Sequence, residues 1–199
     1  MTKFSNTTTL IDLLENGDSN HPAIVVPDGP VITYSSLRDQ VRTMASKLKN
    51  IGINPSDRVA IVLSNTPETI ISFLAAASAA TAAPLNPAYK KEEFQFYLDD
   101  TGAKAIITNE QTGEAAVAAA TDTTIRINIQ LNSDGIARLD PTASEVPTNT
   151  TEPTLRNTDD VALILHTSGT TSRPKRVPLT HEKLVASVEH IVDTYKLSK

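Results

Sequence analysis

The sequence Asp57-Arg-Val-Ala-Ile-Val-Leu63, followed by Asn65-Thr-Pro-Glu68, decides the fold class. The first stretch is an almost continuous apolar run, which predicts a strand buried on both faces. The second supplies an N-cap, a proline at the first helical position and an acid in the first turn of a helix. That helix, predicted over residues 67–80, is rich in alanine in its later turns. A buried strand that leads into such a helix is typical of an α/β protein.

The same alternation continues along the chain. Further strands are predicted at residues 82–85, 104–108 and 125–129, with helices at 92–100 and 114–120 between them. Strands that alternate with helices at this spacing indicate βαβ units. The predicted fold is therefore α/β, with a mostly parallel sheet flanked by helices and right-handed crossovers.

The residues before position 57 add smaller elements. Leucines at one face of residues 9–16 predict a short first helix. Two extended runs, at 23–26 and 31–34, are joined around Asp28-Gly29, and Asp-Gly between such runs is a strong hairpin signal. Apolar residues at helical spacing then predict a helix that Gly52 closes.

The composition excludes several classes of function. The chain has 199 residues, a formal net charge of −5 and no cysteine. Mild acidity argues against nucleic acid as the main ligand, and the absence of cysteine excludes disulfides, thiol nucleophiles and cysteine-based metal sites. No apolar run is long enough to predict a membrane span. The length suits one large or two small domains.

The second informative stretch is Val161-Ala-Leu-Ile-Leu-His166, a predicted strand, with Thr167-Ser-Gly-Thr-Thr-Ser-Arg-Pro-Lys175 after it. The loop carries five hydroxyl side chains, which belong to Thr167, Ser168, Thr170, Thr171 and Ser172. Gly169 permits a tight turn or a close backbone approach, and Lys175 adds a flexible cation. Many donors, no carboxylate and one mobile positive charge suit a polyphosphate ligand. The alternative is a hydroxyl-rich surface turn.

This loop departs from the Walker A pattern. Counted from Gly169, Pro174 stands where the second glycine belongs, and Arg176 follows the lysine in place of Ser or Thr. Walker A also opens into a helix, whereas the prolines here favour an extended segment over residues 176–180. The helix is predicted to begin later, with Thr180 as its N-cap. These departures argue against a P-loop kinase.

The loop resembles the phosphate-binding signature of the acyl-adenylate-forming (AMP-binding) enzymes, T-S-G-[ST]-T-G-x-P-K-G. Thr167-Ser-Gly-Thr-Thr171 and Pro174-Lys175 match it, while Ser172 and Arg176 replace two glycines. Upstream, Pro84-Leu-Asn-Pro87 and Thr101-Gly-Ala-Lys-Ala105 resemble segments of the same family, in the right order. Within the family, Val177-Pro-Leu179 after this loop and Ala83-Pro-Leu-Asn-Pro-Ala-Tyr89 upstream resemble the plant and fungal oxalate–CoA ligases, whose fungal members are peroxisomal AMP-binding CoA synthetases.

The resemblance implies an ATP-dependent acid–CoA ligase that activates a carboxylate as acyl-AMP and transfers it to CoA. Oxalate is the first substrate it suggests. A medium- or long-chain fatty-acyl-CoA ligase, a 4-coumarate-type ligase and a non-catalytic nucleotide-binding or interaction module remain open. The implied ATP phosphate-binding residues are Thr167, Ser168, Gly169, Thr170, Thr171, Ser172 and Lys175, with Arg176 as a possible addition.

The resemblance also implies that parts of the enzyme are not in this sequence. The family's acidic magnesium ligand, ribose-binding aspartate, acyl pocket and late lysine match no position here, so we expect no catalytic residue and no metal ligand in the chain. The expected organisation is the N-terminal part of an AMP-binding domain: an α/β subdomain at 1–130, an irregular connection at 131–160, and the strand, loop and helix at 161–199. The chain alone should be inactive and able to self-associate. The implied location is peroxisomal or cytosolic, with any targeting signal outside the chain.

Charged and histidine side chains near the loop allow sharper expectations. Because arginine is strained at positive φ, Arg176 should have extended dihedrals. Its guanidinium should reach the phosphates, pair with an acid across the loop, or stay solvated. The four histidines lack metal-ligand spacing, which favours surface or capping roles. Asp159-Asp160 is expected to be a solvated strand entry rather than a metal pair.

Overall fold

The computed structural model describes residues 7–141, 156–167 and 174–197, and in these ranges the chain forms six helices and nine strands. In chain order the helices are α1 (Leu10–Glu15), α2 (Tyr34–Asn50), α3 (Pro67–Ala79), α4 (Lys91–Thr101), α5 (Glu114–Ala119) and α6 (His181–Thr194). The strands are β1 (Pro22–Val25), β2 (Val31–Thr33), β3 (Arg58–Ile61), β4 (Thr81–Pro84), β5 (Ala105–Thr108), β6 (Ile125–Leu131), β7 (Ala137–Pro141), β8 (Val161–Thr167) and β9 (Lys175–Thr180).

Seven of these strands form one sheet in the order β7-β6-β5-β3-β4-β8-β9. The five central strands, from β6 to β8, pair in parallel, and an antiparallel strand closes each edge. The predicted mostly parallel sheet is therefore confirmed. The predicted hairpin is also confirmed, since β1 and β2 pair antiparallel in a separate two-stranded sheet.

Two strands in the middle of the sheet, β3 and β5, are buried on both faces because their side chains alternate between two cores. Val59 and Ile61 of β3 lie in the larger core with residues of α2 and α3. Ala60 and Val62, which point the other way, lie in a second core with Phe94 of α4 and Ala116 of α5. A strand whose successive side chains enter two apolar layers has to be apolar throughout. This is the physical reason for the continuous run at residues 57–63.

The prediction of an irregular connection over residues 131–160 is wrong for residues 137–141, which form β7 against β6. The two strands join through a tight turn in which the Asn132 side chain accepts hydrogen bonds from the backbone N–H groups of Asp134 and Ile136, and Gly135 has φ of 76°. Only Leu139 of β7 is buried. One buried side chain in a polar segment leaves no clear strand pattern. Residues 142–155 lie outside the described ranges.

The C-terminal end of α4 depends on Gly102, which adopts the left-handed conformation with φ 58° and ψ 46°. We expect Gly102→Ala to lower the free energy of unfolding by about 1 kcal/mol, because a Cβ is strained in this conformation. Asparagine is the side chain that best tolerates it, so Gly102→Asn should lose less. Urea unfolding of both variants checks this order, and equal stability of Gly102→Ala and wild type would contradict it.

Candidate functional site

The hairpin of β8 and β9 frames the predicted phosphate loop. Thr167, at the end of β8, lies directly opposite Lys175, at the start of β9. Both residues are exposed, and the Thr167 hydroxyl lies 3.5 Å from the backbone oxygen of Lys175. Of the other predicted phosphate-binding residues, Ser168, Gly169, Thr170, Thr171 and Ser172 lie outside the described ranges. The structure therefore brings together the two ends of the loop, one with a hydroxyl and one with a cation.

The predicted phosphate loop begins at the edge of the sheet where the parallel strands have their carboxyl ends. β8 runs parallel to β4, and β4 runs parallel to β3. The carboxyl ends of these strands consequently lie along one edge, which is where open α/β sheets bind ligands. The predicted loop follows the carboxyl end of β8.

A shallow cleft of about 570 Å³ lies at the same edge. Its wall includes Ser64, which follows β3, Pro87, which follows β4, and Gln111 and Thr112, which follow β5. The Thr112 hydroxyl donates to the backbone oxygen of Val62 at 2.7 Å, so the loop after β5 is fixed to β3. The edge thus has room for a ligand at the ends of β3, β4 and β5.

The segment after the loop excludes a Walker A site. Lys175 is the first residue of a strand, and the next helix begins only at His181. Thr180 is its N-cap, with the side chain accepting from the Lys183 backbone N–H at 3.3 Å. The predicted extended segment and the predicted N-cap are both confirmed. Pro178 is tolerated because β9 is an edge strand.

Arg176 has the backbone conformation expected for it, and its side chain contacts the end of α4. It is not among the positive-φ residues and lies within β9, so its extended conformation is confirmed. Its Nη1 donates to the backbone oxygen of Asp100 at 2.6 Å. A backbone carbonyl group is not among the partners expected for it. A phosphate contact by its remaining donors stays a prediction.

The expectation that the histidines occupy surface or capping positions is wrong for His166, whereas His181 is buried but caps the first backbone N–H of α1. The His166 side chain is only 5% exposed, and its Nε2 lies 3.0 Å from Asp100 Oδ2. Its ring meets the ring of Tyr97 edge to face, with centroids 4.7 Å apart. His181 is 1% exposed, and its Nδ1 accepts from the Leu10 backbone N–H at 3.3 Å. Sequence reasoning missed these roles because the partners are distant along the chain.

His181 joins the N-terminal ends of α1 and α6 and has a structural rather than a ligand-binding environment. Burial lowers its pKa, and the positive charge of Arg156 lowers it further, against the opposing effect of Asp160. The imidazole is therefore held neutral in the fold. A neutral Nδ1 can accept the hydrogen bond from Leu10, whereas a protonated ring cannot.

This burial predicts a stability that depends on pH. The unfolded chain should protonate His181 near pH 6.5, whereas the folded chain resists protonation until a lower pH. Between these values the unfolded state binds more protons. Stability should therefore be full above about pH 7.5 and should fall as the pH drops below about 6.5. Ordinary carboxylates titrate near pH 4 and contribute little in this window.

Urea midpoints at pH 7.5 and 5.5 measure the effect. His181→Gln should show a smaller loss between the two pH values than wild type. The matched variant His190→Gln changes an exposed histidine on the same helix and should keep the wild-type loss. An equal loss in all three proteins would contradict the assignment to His181.

Asp160, which directly precedes β8, takes part in a turn at the start of the strand. The Asp160 carboxylate accepts from the Asn157 backbone N–H at 2.8 Å and lies 3.6 Å from Arg156 Nε, so it organises a turn at the strand entry. Within the described ranges there is no group of three or more His, Cys, Asp or Glu side chains that could hold a metal ion. In the same ranges, no helix is both long and apolar enough to cross a membrane.

The mostly parallel sheet and the sequence that follows β8 agree with an α/β domain of the adenylate-forming kind. The AMP-binding enzyme family matches residues 15–198, so this chain belongs to that family. The chain is 41% identical over 96% of its length to an oxalate–CoA ligase of Arabidopsis thaliana, and 36% identical over 90% of its length to an oxalate–CoA ligase of Saccharomyces cerevisiae. It spans 38% and 39% of those relatives.

A solved structure supports the same fold. The crystal structure of ATP-bound MatB from Rhodopseudomonas palustris is similar with a TM-score of 0.77 at 25% sequence identity. The match covers 96% of this chain and 38% of that one. The mostly parallel sheet with flanking helices is thus the architecture found in this part of the family.

Proposed function

We propose that residues 167–175 bind the phosphates of ATP, and that the protein of which this chain forms part is an AMP-forming acid–CoA ligase. One observation carries the proposal. A loop of phosphate-binding composition joins two strands at the ligand-binding edge of the sheet, with Thr167 and Lys175 opposite each other at its base, in a chain of the AMP-binding family.

Each loop residue has a separate role in phosphate binding in this proposal. Lys175 is exposed at the first position of β9, so its ammonium group is free to approach a ligand. In this proposal it neutralises negative charge on the β and γ phosphates. The hydroxyls of Thr167, Ser168, Thr170, Thr171 and Ser172, together with backbone N–H groups, donate hydrogen bonds to phosphate oxygens. Gly169 allows the backbone to approach the ligand closely.

The proposed reaction has two steps that balance. A carboxylate oxygen attacks the α-phosphorus of ATP, a new oxygen–phosphorus bond forms, and pyrophosphate leaves. The sulfur of CoA then attacks the acyl carbon and AMP leaves, while the thiol proton passes to solvent or a base. The loop contributes orientation and charge stabilisation rather than proton transfer. A magnesium ion accompanies ATP in such chemistry, but the described residues include no metal-binding cluster, so we assign it no ligand in this chain.

Oxalate is the carboxylate that we propose, and its support is the similarity to oxalate–CoA ligases from two organisms. The test is pyrophosphate release by the full-length protein with oxalate, 4-coumarate, or medium- and long-chain fatty acids, each with ATP and CoA. We expect release that depends on oxalate. Release with another acid alone would overturn the substrate. ATP binding without release by any acid would favour a non-catalytic nucleotide-binding module.

We also propose that the chain is the N-terminal part of a longer AMP-binding domain, with the divisions expected from sequence. The support is that the chain spans only 38% of its Arabidopsis relative. The 199-residue chain alone should then form no oxalyl-CoA. Product formation by the purified chain would contradict this.

A peroxisomal location is part of the same proposal, supported by the resemblance to the fungal members of the subgroup. A fluorescent fusion of the full-length protein tests it. Colocalisation with a peroxisomal marker is expected, and a diffuse cytosolic signal would overturn it.

A further inference from the structure

A single residue of α4 holds both strands of the phosphate-loop hairpin. His166 and Arg176 are cross-strand partners, one pair further from the loop than Thr167 and Lys175. His166 contacts the Asp100 side chain, with 3.0 Å between Nε2 and Oδ2. Arg176 contacts the Asp100 backbone, with 2.6 Å between Nη1 and the carbonyl oxygen. We call His166, Arg176 and Asp100 the clasp.

Aromatic packing fixes the orientation of the histidine in the clasp. Tyr97 and Asp100 are three positions apart on α4 and therefore share a face of the helix. The Tyr97 ring meets the His166 ring at an interplanar angle of 66°, and Tyr89 stacks on Tyr97 with centroids 4.8 Å apart. The imidazole is held by a carboxylate and by an aromatic ring, so its position is determined before any ligand binds.

The arginine contact also satisfies an otherwise unpaired group. Asp100 lies in the last turn of α4, where backbone carbonyls lack partners within the helix. A guanidinium at this end donates the missing hydrogen bond and opposes the negative end of the helix dipole. The arginine contact therefore stabilises the helix end as well as the hairpin.

We propose that the clasp positions the phosphate loop, so that His166, Asp100 and Arg176 are positioning residues for ATP. This inference rests on the proposed function of the loop. A binding loop that is ordered only on contact with its ligand loses affinity through the entropy of ordering. The clasp fixes β8 and β9 at the residue pair next to Thr167 and Lys175. It therefore reduces the entropy that the two ends of the loop lose when ATP binds.

The test uses the full-length protein with Asp100→Ala, which removes the carboxylate, and Asp100→Asn, which keeps an acceptor oxygen for His166. Asp99→Ala is the matched control, since it removes an exposed acid from the neighbouring position. Amide hydrogen exchange of residues 165–177 without nucleotide reports on the stem. ATP affinity by calorimetry, and the KM values for ATP and CoA, report on the site.

We expect faster exchange and about five- to ten-fold weaker ATP binding in Asp100→Ala, within the range that follows the net loss of one ordinary hydrogen bond. The KM for CoA should not change, Asp100→Asn should restore most of the affinity, and Asp99→Ala should behave as wild type. Arg176→Met breaks the other half of the clasp and should weaken ATP binding in the same way. Arg138→Met, an exposed arginine on β7, is its control.

Two failures can be distinguished. If wild type binds ATP and both Asp100→Ala and Arg176→Met bind it equally well, the clasp is structural only, and the inference fails while the proposed function stands. If wild type binds no ATP, the proposed function fails and the inference fails with it. If Asp100→Ala does not fold, amide exchange without nucleotide in Arg176→Met and Arg138→Met decides, because loss of a direct phosphate contact by Arg176 would leave that exchange unchanged.

Discussion

Replacement of Lys175 by methionine is expected to lower kcat/KM for ATP by about 100-fold in the full-length protein, the typical effect of removing one transition-state charge partner. Lys175 is exposed at the first position of β9, directly opposite Thr167. Methionine has a side chain of similar length but no positive charge. It therefore cannot stabilise the negative charge that develops on the leaving pyrophosphate. Initial rates of pyrophosphate release at varied ATP concentration measure the change.

The control for this prediction is Lys183→Met, which removes an exposed lysine from α6. It changes the net charge equally and should leave kcat/KM for ATP within about two-fold of wild type, since exposed charges away from a site contribute little. A similar loss in both variants would mean that overall charge is responsible. An unchanged rate in Lys175→Met would remove the lysine from the proposed phosphate site.

The largest effect on stability is expected from Phe94→Ala, with a loss of about 3–5 kcal/mol in the free energy of unfolding. Phe94 is fully buried between α4 and the sheet, in contact with the smaller of the two cores. Truncation leaves a cavity beside Ala60 and Ile106, which cannot fill it. Phe96→Ala is the matched control on the same helix, because Phe96 is only partly buried and its loss should be clearly smaller. Equal losses in urea unfolding would contradict this account of the core.

The parallel sheet could be predicted because its cause is local in sequence. Both β3 and β5 have side chains in two cores, so runs such as 57–63 are apolar without interruption. Helix boundaries could be predicted for the same reason, because Thr180 and Gly102 act on backbone groups within a few residues of themselves. The predicted strands and helices differ from the observed ones only at their ends.

The remaining features depend on partners that no local pattern reveals. β7 is identified by its pairing with β6 rather than by its own side chains, of which only Leu139 is buried. His166 and Arg176 meet Asp100 across 66 and 76 positions, and His181 meets Leu10 across 171. The loop ends could be assigned from composition, whereas the groups that hold them required the fold.

The central claim is that residues 167–175 bind the phosphates of ATP, and amide hydrogen exchange of the full-length protein with different ligands tests it most directly. Peptides covering residues 167–176 should exchange more slowly with Mg-ATP or with pyrophosphate than without ligand, while adenosine alone should leave them unchanged. Equal protection by adenosine, or no protection of these residues at saturating ATP, would contradict the claim.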